Sequence, residues 1–293
     1  MTKRIVFAAL LVVAPFASPA AERAIARTSH YAAFGTNKVH YATAGKGDKA
    51  LVFVHGWSGN LDFWREQVPA VVDRAKVLLI DLPGHGKSDK PDTAYTMDFF
   101  GDSVIAVMRD AKISNATLIG HSMGVAVICR AYAKAPAMVT GLVAVDGMLR
   151  RPEFTREEAE RFIGPFRGPG YREHTTNFIH SMFKNPGTET LRDWTLNQVL
   201  ATPQHVMSGA MEGMFGEGQP NWDPKKVDVP LLIINAPNPR WTPEYEAYAK
   251  GLSPKAEYRV IDNVGHVLIL EKPAEFNGVL IELLTKYGLI DRR

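Results

Sequence analysis

The sequence predicts an α/β fold with a mainly parallel sheet, and three observations predict it. Short continuous apolar runs recur along the chain and close on glycine-containing turns. Helix-like segments alternate with them. One run is joined to its following helix by a Gly-x-Ser-x-Gly turn at 120–124. Runs apolar on both faces suit strands buried in a parallel sheet, and strand–helix alternation supplies its crossovers.

The first residues read MTKRIVFAALLVVAPFASPAAERA. Lys3 and Arg4 precede the apolar run Ile5 to Phe16, and Ser18-Pro19-Ala20 offers small residues for cleavage. This is the pattern of a secretory signal peptide cut after Ala20, and it predicts export to the periplasm or the medium. The run is shorter than the ~20 residues a membrane span needs. No other segment is apolar enough to span, so no membrane span is expected in the mature chain.

Residues 29–44, SHYAAFGTNKVHYATA, alternate around a Gly-Thr-Asn turn and read as a hairpin. The stretches ALVFVHG, KVLLIDLPG, NATLIGHSMG, VTGLVAVDG, VPLLIIN and AEYRVIDNVGH follow as strand-like runs, most of them closing on glycine-containing turns. Helices are expected at 61–73, 96–111, 123–134 and 273–287. Residues 149–221 break the rhythm: they hold no strand-like run and are rich in charge, Met, Phe and Gly. Helical stretches near 155–163, 171–184, 188–201 and 203–215 make them a helical insertion. The expected division is a leader at 1–20, a core at 21–148, the insertion at 149–221 and the rest of the core at 222–293.

Composition bounds the function. The chain has 293 residues, 46% hydrophobic and 22% charged, as a globular enzyme-sized domain would. A net charge of +3 gives no reason to expect nucleic acid or an anionic membrane as partner. Cys129 is the only cysteine, so no internal disulfide is possible, and its apolar helical setting predicts a buried thiol. There is no C-x-x-C or H-E-x-x-H pattern, and no metal or cofactor is expected.

Ser122 lies in GHSMG, between the strand-like Ala116 to Ile119 and the helix-like Val125 to Ala133. A serine on such a turn is forced out above the sheet, where it can act as a nucleophile. HGWSG at 55–59 follows a strand and can lend a backbone N–H to an oxyanion hole. The expected donors are the amides of Trp57 and Met123. His55 is read as structural. DLPGHGKSDKP at 81–91 contains Gly-Lys-Ser, but Asp81 stands where a phosphate loop needs its first glycine. His85 in that loop is read as bonded to nearby backbone. His266 ends the last strand-like segment, where a neutral imidazole can take and return the proton of Ser122.

HGW, DLPGHGKSD, GHSMG and GHVLILEKP occur in this order. With them the chain resembles the alpha/beta-hydrolase superfamily, in its capped, esterase-like branch, from about residue 30 to 287. The resemblance implies an eight-stranded, mainly parallel sheet with a helical cap inserted after the sixth strand. It also implies a third catalytic member, an acid, usually after the strand that LLIIN resembles. Here that turn reads Ala236-Pro237-Asn238-Pro239 and holds no carboxylate. Some members of the superfamily place the acid one strand earlier, where this chain has Asp146. The order Ser122, Asp146, His266 is that of the fold. Glu244 is the next candidate, Asn238 a weaker one, and Asp262 is too near His266 on one strand.

These residues imply acyl transfer through a covalent intermediate. A small-molecule ester is the expected substrate, uncharged and small to medium in size. Lactones, amides and carbon–carbon bonds are alternatives on the same triad, and non-catalytic ligand binding is a third reading. Phe154, Phe162, Phe166, Phe178, Met182, Phe183, Trp194, Met207, Met211, Met214 and Phe215 are available to line an apolar pocket. More than half of them are expected to pack within the helical layer instead.

Overall fold

The computed structural model describes residues 25–292. The expected signal peptide and its cleavage site at Ala20 lie outside them. Eight strands form one sheet in the order β1-β2-β4-β3-β5-β6-β7-β8. They are β1 (Thr28–Phe34), β2 (Asn37–Gly45), β3 (Ala50–Val54), β4 (Lys76–Ile80), β5 (Ala116–His121), β6 (Val139–Val145), β7 (Leu231–Asn235) and β8 (Ala256–Val260). The β1–β2 hairpin turns at Gly35, whose φ of 59° suits glycine. β2 also runs antiparallel to β4, and every pairing from β4 to β8 is parallel. All residues of β3, β5 and β7 are buried, whereas edge strand β8 is half-exposed, so the continuous apolar runs mark the middle of the sheet.

The described residues also form the α-helices α1 (Val68–Val71), α2 (Met97–Asp110), α3 (Met123–Lys134), α4 (Arg156–Arg167), α5 (Tyr171–Ser181), α6 (Glu189–Leu200), α7 (Gln204–Phe215), α8 (Pro243–Gly251), α9 (Leu268–Glu271) and α10 (Pro273–Lys286). The single helix expected at 61–73 is instead a 3-10 turn at Leu61–Trp64 followed by the short α1. Pro69 explains the break: it has no amide to donate back into a preceding turn, but it fits the start of a new helix. Helices α8 and α9 were not expected from the periodicity. α8 starts on a Thr242 cap with Pro243 behind it, and it buries only Tyr245 and Ala249.

Helices α4 to α7 all fall between β6 and β7. α4 is opened by a reciprocal cap between Thr155 and Glu158. The indole of Trp57, on the loop after β3, donates 2.8 Å to the carbonyl of Met207 and packs against Phe166 and Phe178. Arg151 closes the base of this segment by bonding the carbonyls of Gly216 and Gln219.

Parallel register places the C-terminal ends of β5, β6 and β7 level, with His121 opposite Val145 and Val145 opposite Ile234. The residues that follow these strands therefore stand side by side. Ser122 N–H donates to Val145 O at 2.9 Å, and Asp146 N–H to Ile234 O at 3.0 Å. Sheets of this kind gather their ligands at this edge.

Candidate active site

Ser122 joins β5 to α3 with φ 55° and ψ −118°, a conformation that costs a non-glycine residue about 1–3 kcal/mol. Tight packing holds it there. A side chain on Gly120 would come within 2.3 Å of Gly124 O, and one on Gly124 within 2.5 Å of Val54 O. The Ser122 hydroxyl caps no amide of α3. It lies 2.9 Å from Nε2 of His266.

His266 Nδ1 lies 2.5 Å from Oδ2 of Asp146. The carboxylate can only accept, so Nδ1 carries the proton and Nε2 is free to accept from Ser122. Asp146, 3% exposed and with φ 41°, follows β6 directly. Its second oxygen accepts from the Ala236 amide at 2.9 Å and from the Trp241 indole at 3.2 Å. The three residues form one hydrogen-bonded chain. The other acids considered stand apart from it: Glu244 is exposed in the first turn of α8, and Asp262 is exposed on the loop after β8. Asn238 spends its side-chain oxygen on the amide of Arg240 within its own turn.

The Met123 amide opens α3, where helical amides lack a partner one turn back. Gly56 lies against the serine so closely that a Cβ there would be 3.0 Å from Ser122 Cβ, and the next residue, Trp57, lines the same cavity as Met123. His55 is buried and fully used, with Nδ1 donating to Gly56 O and Nε2 accepting from Leu82 N–H. His85 donates to Pro83 O. Burial holds the imidazolium forms of both well below their ordinary range, His85 down to about 3. Cys129 is buried in α3, and burial pushes its thiol up to about 12.

Two contributors had no signal in the sequence. His121 is buried, and its Nε2 donates 2.9 Å to the backbone carbonyl of His266, so Nε2 carries a proton. Burial, helped by the facing His266, lowers its pKa to about 3. Glu271 accepts from the amide of Gly265 at 3.1 Å and from Asn185 at 3.2 Å. Burial raises its pKa against those bonds. The His266 amide itself donates to Met182 O at 2.9 Å, so the histidine loop is tied to the segment following α5.

Beside the serine lies a cavity of about 280 Å³. Phe162, Phe178, Met182, Met211, Met214 and Phe215 line it. That is six of the eleven candidate aromatic and Met side chains, more than expected. Met207 and Phe166 are buried elsewhere, Trp194 packs at a tilt against Phe63, and Phe154 is exposed. The acidic face of α4 is solvated, with Glu157 paired to Arg161. Among the described residues no group of three His, Cys, Asp or Glu side chains could hold a metal, and no helix is long and apolar enough to cross a membrane.

A parallel sheet of this strand order, with a serine at a strand–helix junction facing a histidine, defines the α/β-hydrolase class of proteins. The model of the alpha/beta hydrolase fold family matches residues 49–273, and the chain belongs to that family. It is 25% identical over 271 residues to the dihydrolipoyllysine-residue acetyltransferase component of the acetoin cleaving system of Cupriavidus necator, covering 90% of this chain and 71% of that protein. It is 26% identical over 281 residues to the 2-hydroxy-6-oxo-6-(2'-aminophenyl)hexa-2,4-dienoic acid hydrolase of Metapseudomonas resinovorans, covering 88% and 91%. A thermophilic esterase from Thermogutta terrifontis superposes with a TM-score of 0.77 at 22% identity, over 89% of this chain and 99% of that one. At that identity the likeness is one of fold.

Proposed function

We propose that the protein is a serine hydrolase that cleaves small to medium carboxylic esters through an acyl-enzyme intermediate. The observation that carries this reading is the unbroken hydrogen-bonded chain from Ser122 Oγ through His266 to Asp146. Ser122 Oγ attacks the ester carbonyl while its proton passes to His266 Nε2. Asp146 stabilises the imidazolium so formed. The amides of Trp57 and Met123 donate to the oxyanion, a contribution of about 10²–10³ in rate per donor in such sites. The alcohol leaves with the proton from His266. Water then attacks the acyl-enzyme, giving its proton to His266; the acyl–Oγ bond breaks, the acid leaves with the water oxygen, and His266 returns the proton to Ser122 Oγ. The Phe and Met lining supports an apolar, adaptable acyl pocket.

Hydrolysis of p-nitrophenyl esters from acetyl to dodecanoyl tests this reading, with Ser122→Ala alongside. Wild-type turnover that disappears in the variant is expected, as is Ser122-dependent labelling by a fluorophosphonate. Equal inertness of the two proteins towards esters, with labelling retained, would move lactones, amides or carbon–carbon bonds ahead. No labelling would favour non-catalytic ligand binding. We place the mature protein outside the cytoplasm on residues 1–20 alone, and cell fractionation tests that placement.

A further inference from the structure

Composition alone suggests an uncharged substrate, but the charges at the cavity are one-sided. Lys184 and Arg240 both line it and both are exposed: Lys184 follows α5, and Arg240 lies on the turn between β7 and α8. The Lys184 ammonium rests on that same turn, donating 2.8 Å to Pro237 O. Asp146 is the only carboxylate among the described lining residues, and both of its oxygens are engaged. Among the described residues no carboxylate pairs with Lys184 or Arg240, although most other cations near α4 to α7 have one. With a net charge of only +3 on the whole chain, two unneutralised cations at one cavity are a local arrangement rather than a general basic surface.

We infer that the substrate of this site is anionic: an ester bearing a carboxylate, which Lys184 and Arg240 hold at the mouth while the apolar wall takes the rest. This rests on the serine-hydrolase reading and sharpens its substrate class. A planar guanidinium matches a carboxylate edge to edge, and the ammonium supplies a second donor without imposing geometry. The turn after β7 carries Arg240 and no carboxylate of its own.

The test pairs substrates that differ in charge. The first pair is p-nitrophenyl hydrogen suberate against p-nitrophenyl octanoate, with the anion on the acyl side. The second is meta-acetoxybenzoate against meta-acetoxybenzamide, with the anion on the alcohol side. In at least one pair the anionic ester is expected to have the higher kcat/KM. That anionic-to-neutral ratio should fall roughly tenfold in Lys184→Gln/Arg240→Gln, the product of two partly screened contacts. Lys226→Gln, which removes a surface cation paired with Asp228, should leave the ratio as it was. Ratios that favour the neutral ester in both pairs, or that ignore the double substitution, overturn the inference while Ser122-dependent ester turnover stands. A binding arm needs no turnover: calorimetric titration of Ser122→Ala with phenylbutanoate and with phenylbutanamide. Preference for the carboxylate, lost in the double variant, supports the anion site even if no ester is cleaved. Equal or absent binding of the two compounds counts against it.

Discussion

The backbone amide of Ala236 donates 2.9 Å to Oδ1 of Asp146. Ala236 begins the turn where the resemblance led us to expect the acid, so the turn that lacks the carboxylate serves the one on the neighbouring strand. The Trp241 indole of the same turn donates to the same oxygen. The carboxylate bonded to His266 stands one strand earlier than the resemblance implies, and the turn that lacks an acid supports it.

This support makes Asp146→Asn informative. Its carbonyl oxygen would keep the donors at Ala236 and Trp241, which turns the amide nitrogen towards His266. Nδ1 must then accept, the proton moves to Nε2, and Nε2 can no longer take the proton of Ser122. We expect kcat to fall about 10³- to 10⁴-fold with little change in KM. Steady-state kinetics on the best ester checks this, and a loss below about tenfold would return the role to another acid.

The sheet was legible because its central strands are apolar on both faces, and all eight were visible as short runs between turns. That Ser122 and His266 lie on loops after strands was legible in the sequence, whereas Asp146 came from the resemblance and from the turn after β7 that holds no carboxylate. What stayed hidden was long-range. Nothing near His121 announces that its ring meets a carbonyl 145 residues away. Lys184 and Arg240 read as ordinary surface cations until the fold brought them to one cavity. Helix α8 escaped because its buried face is only two residues wide, although its Thr-Pro-Glu start was there to be read.

Three buried histidines predict acid sensitivity. His55, His85 and His121 all have lowered pKa values, the last two about 3, chiefly from burial. Below an unfolded value near 6.5 the unfolded chain takes up protons that the native protein refuses. Stability therefore falls as pH drops from ~6.5 towards 3. Asp81 acts in the same direction. Burial pulls its carboxyl up, but bonds from His40 and the amides of Lys87 and Leu61 hold it below its usual range. The upper bound is roughly 2–3 kcal/mol per histidine by pH 4.5. Urea denaturation at stepped pH should show this slope, reduced in His121→Gln; a flat profile from pH ~7 to ~4.5 contradicts it.

Glu271 is expected to position His266. It fastens Gly265, next to the histidine, and Asn185 across the gap. Glu271→Ala should lower kcat about tenfold with KM nearly constant, and Glu271→Gln should recover part of it, since small displacements of a reacting group are costly. Equal losses in kcat and thermal stability for both variants would mark a purely structural role.

Gly124→Ala should destabilise by about 3 kcal/mol or more, because its methyl group would meet Val54 O inside a packed junction with no flexible neighbour to move. Thermal unfolding measures this. A change under about 1 kcal/mol would mean that the junction tolerates more room than its contacts allow.

The hydrogen bond from His266 N–H to Met182 O has a consequence for engineering. The segment between β6 and β7 looks like an exchangeable module, the natural unit to transplant from a relative when new substrates are wanted. Yet His266 hangs from it by its amide, with Asn185 gripping the same loop at Asn263 O. A chimaera that swaps the helices but mismatches residues 182–185 would inherit a new pocket and lose the alignment of the histidine. The graft has to be cut so that those four residues stay with the host.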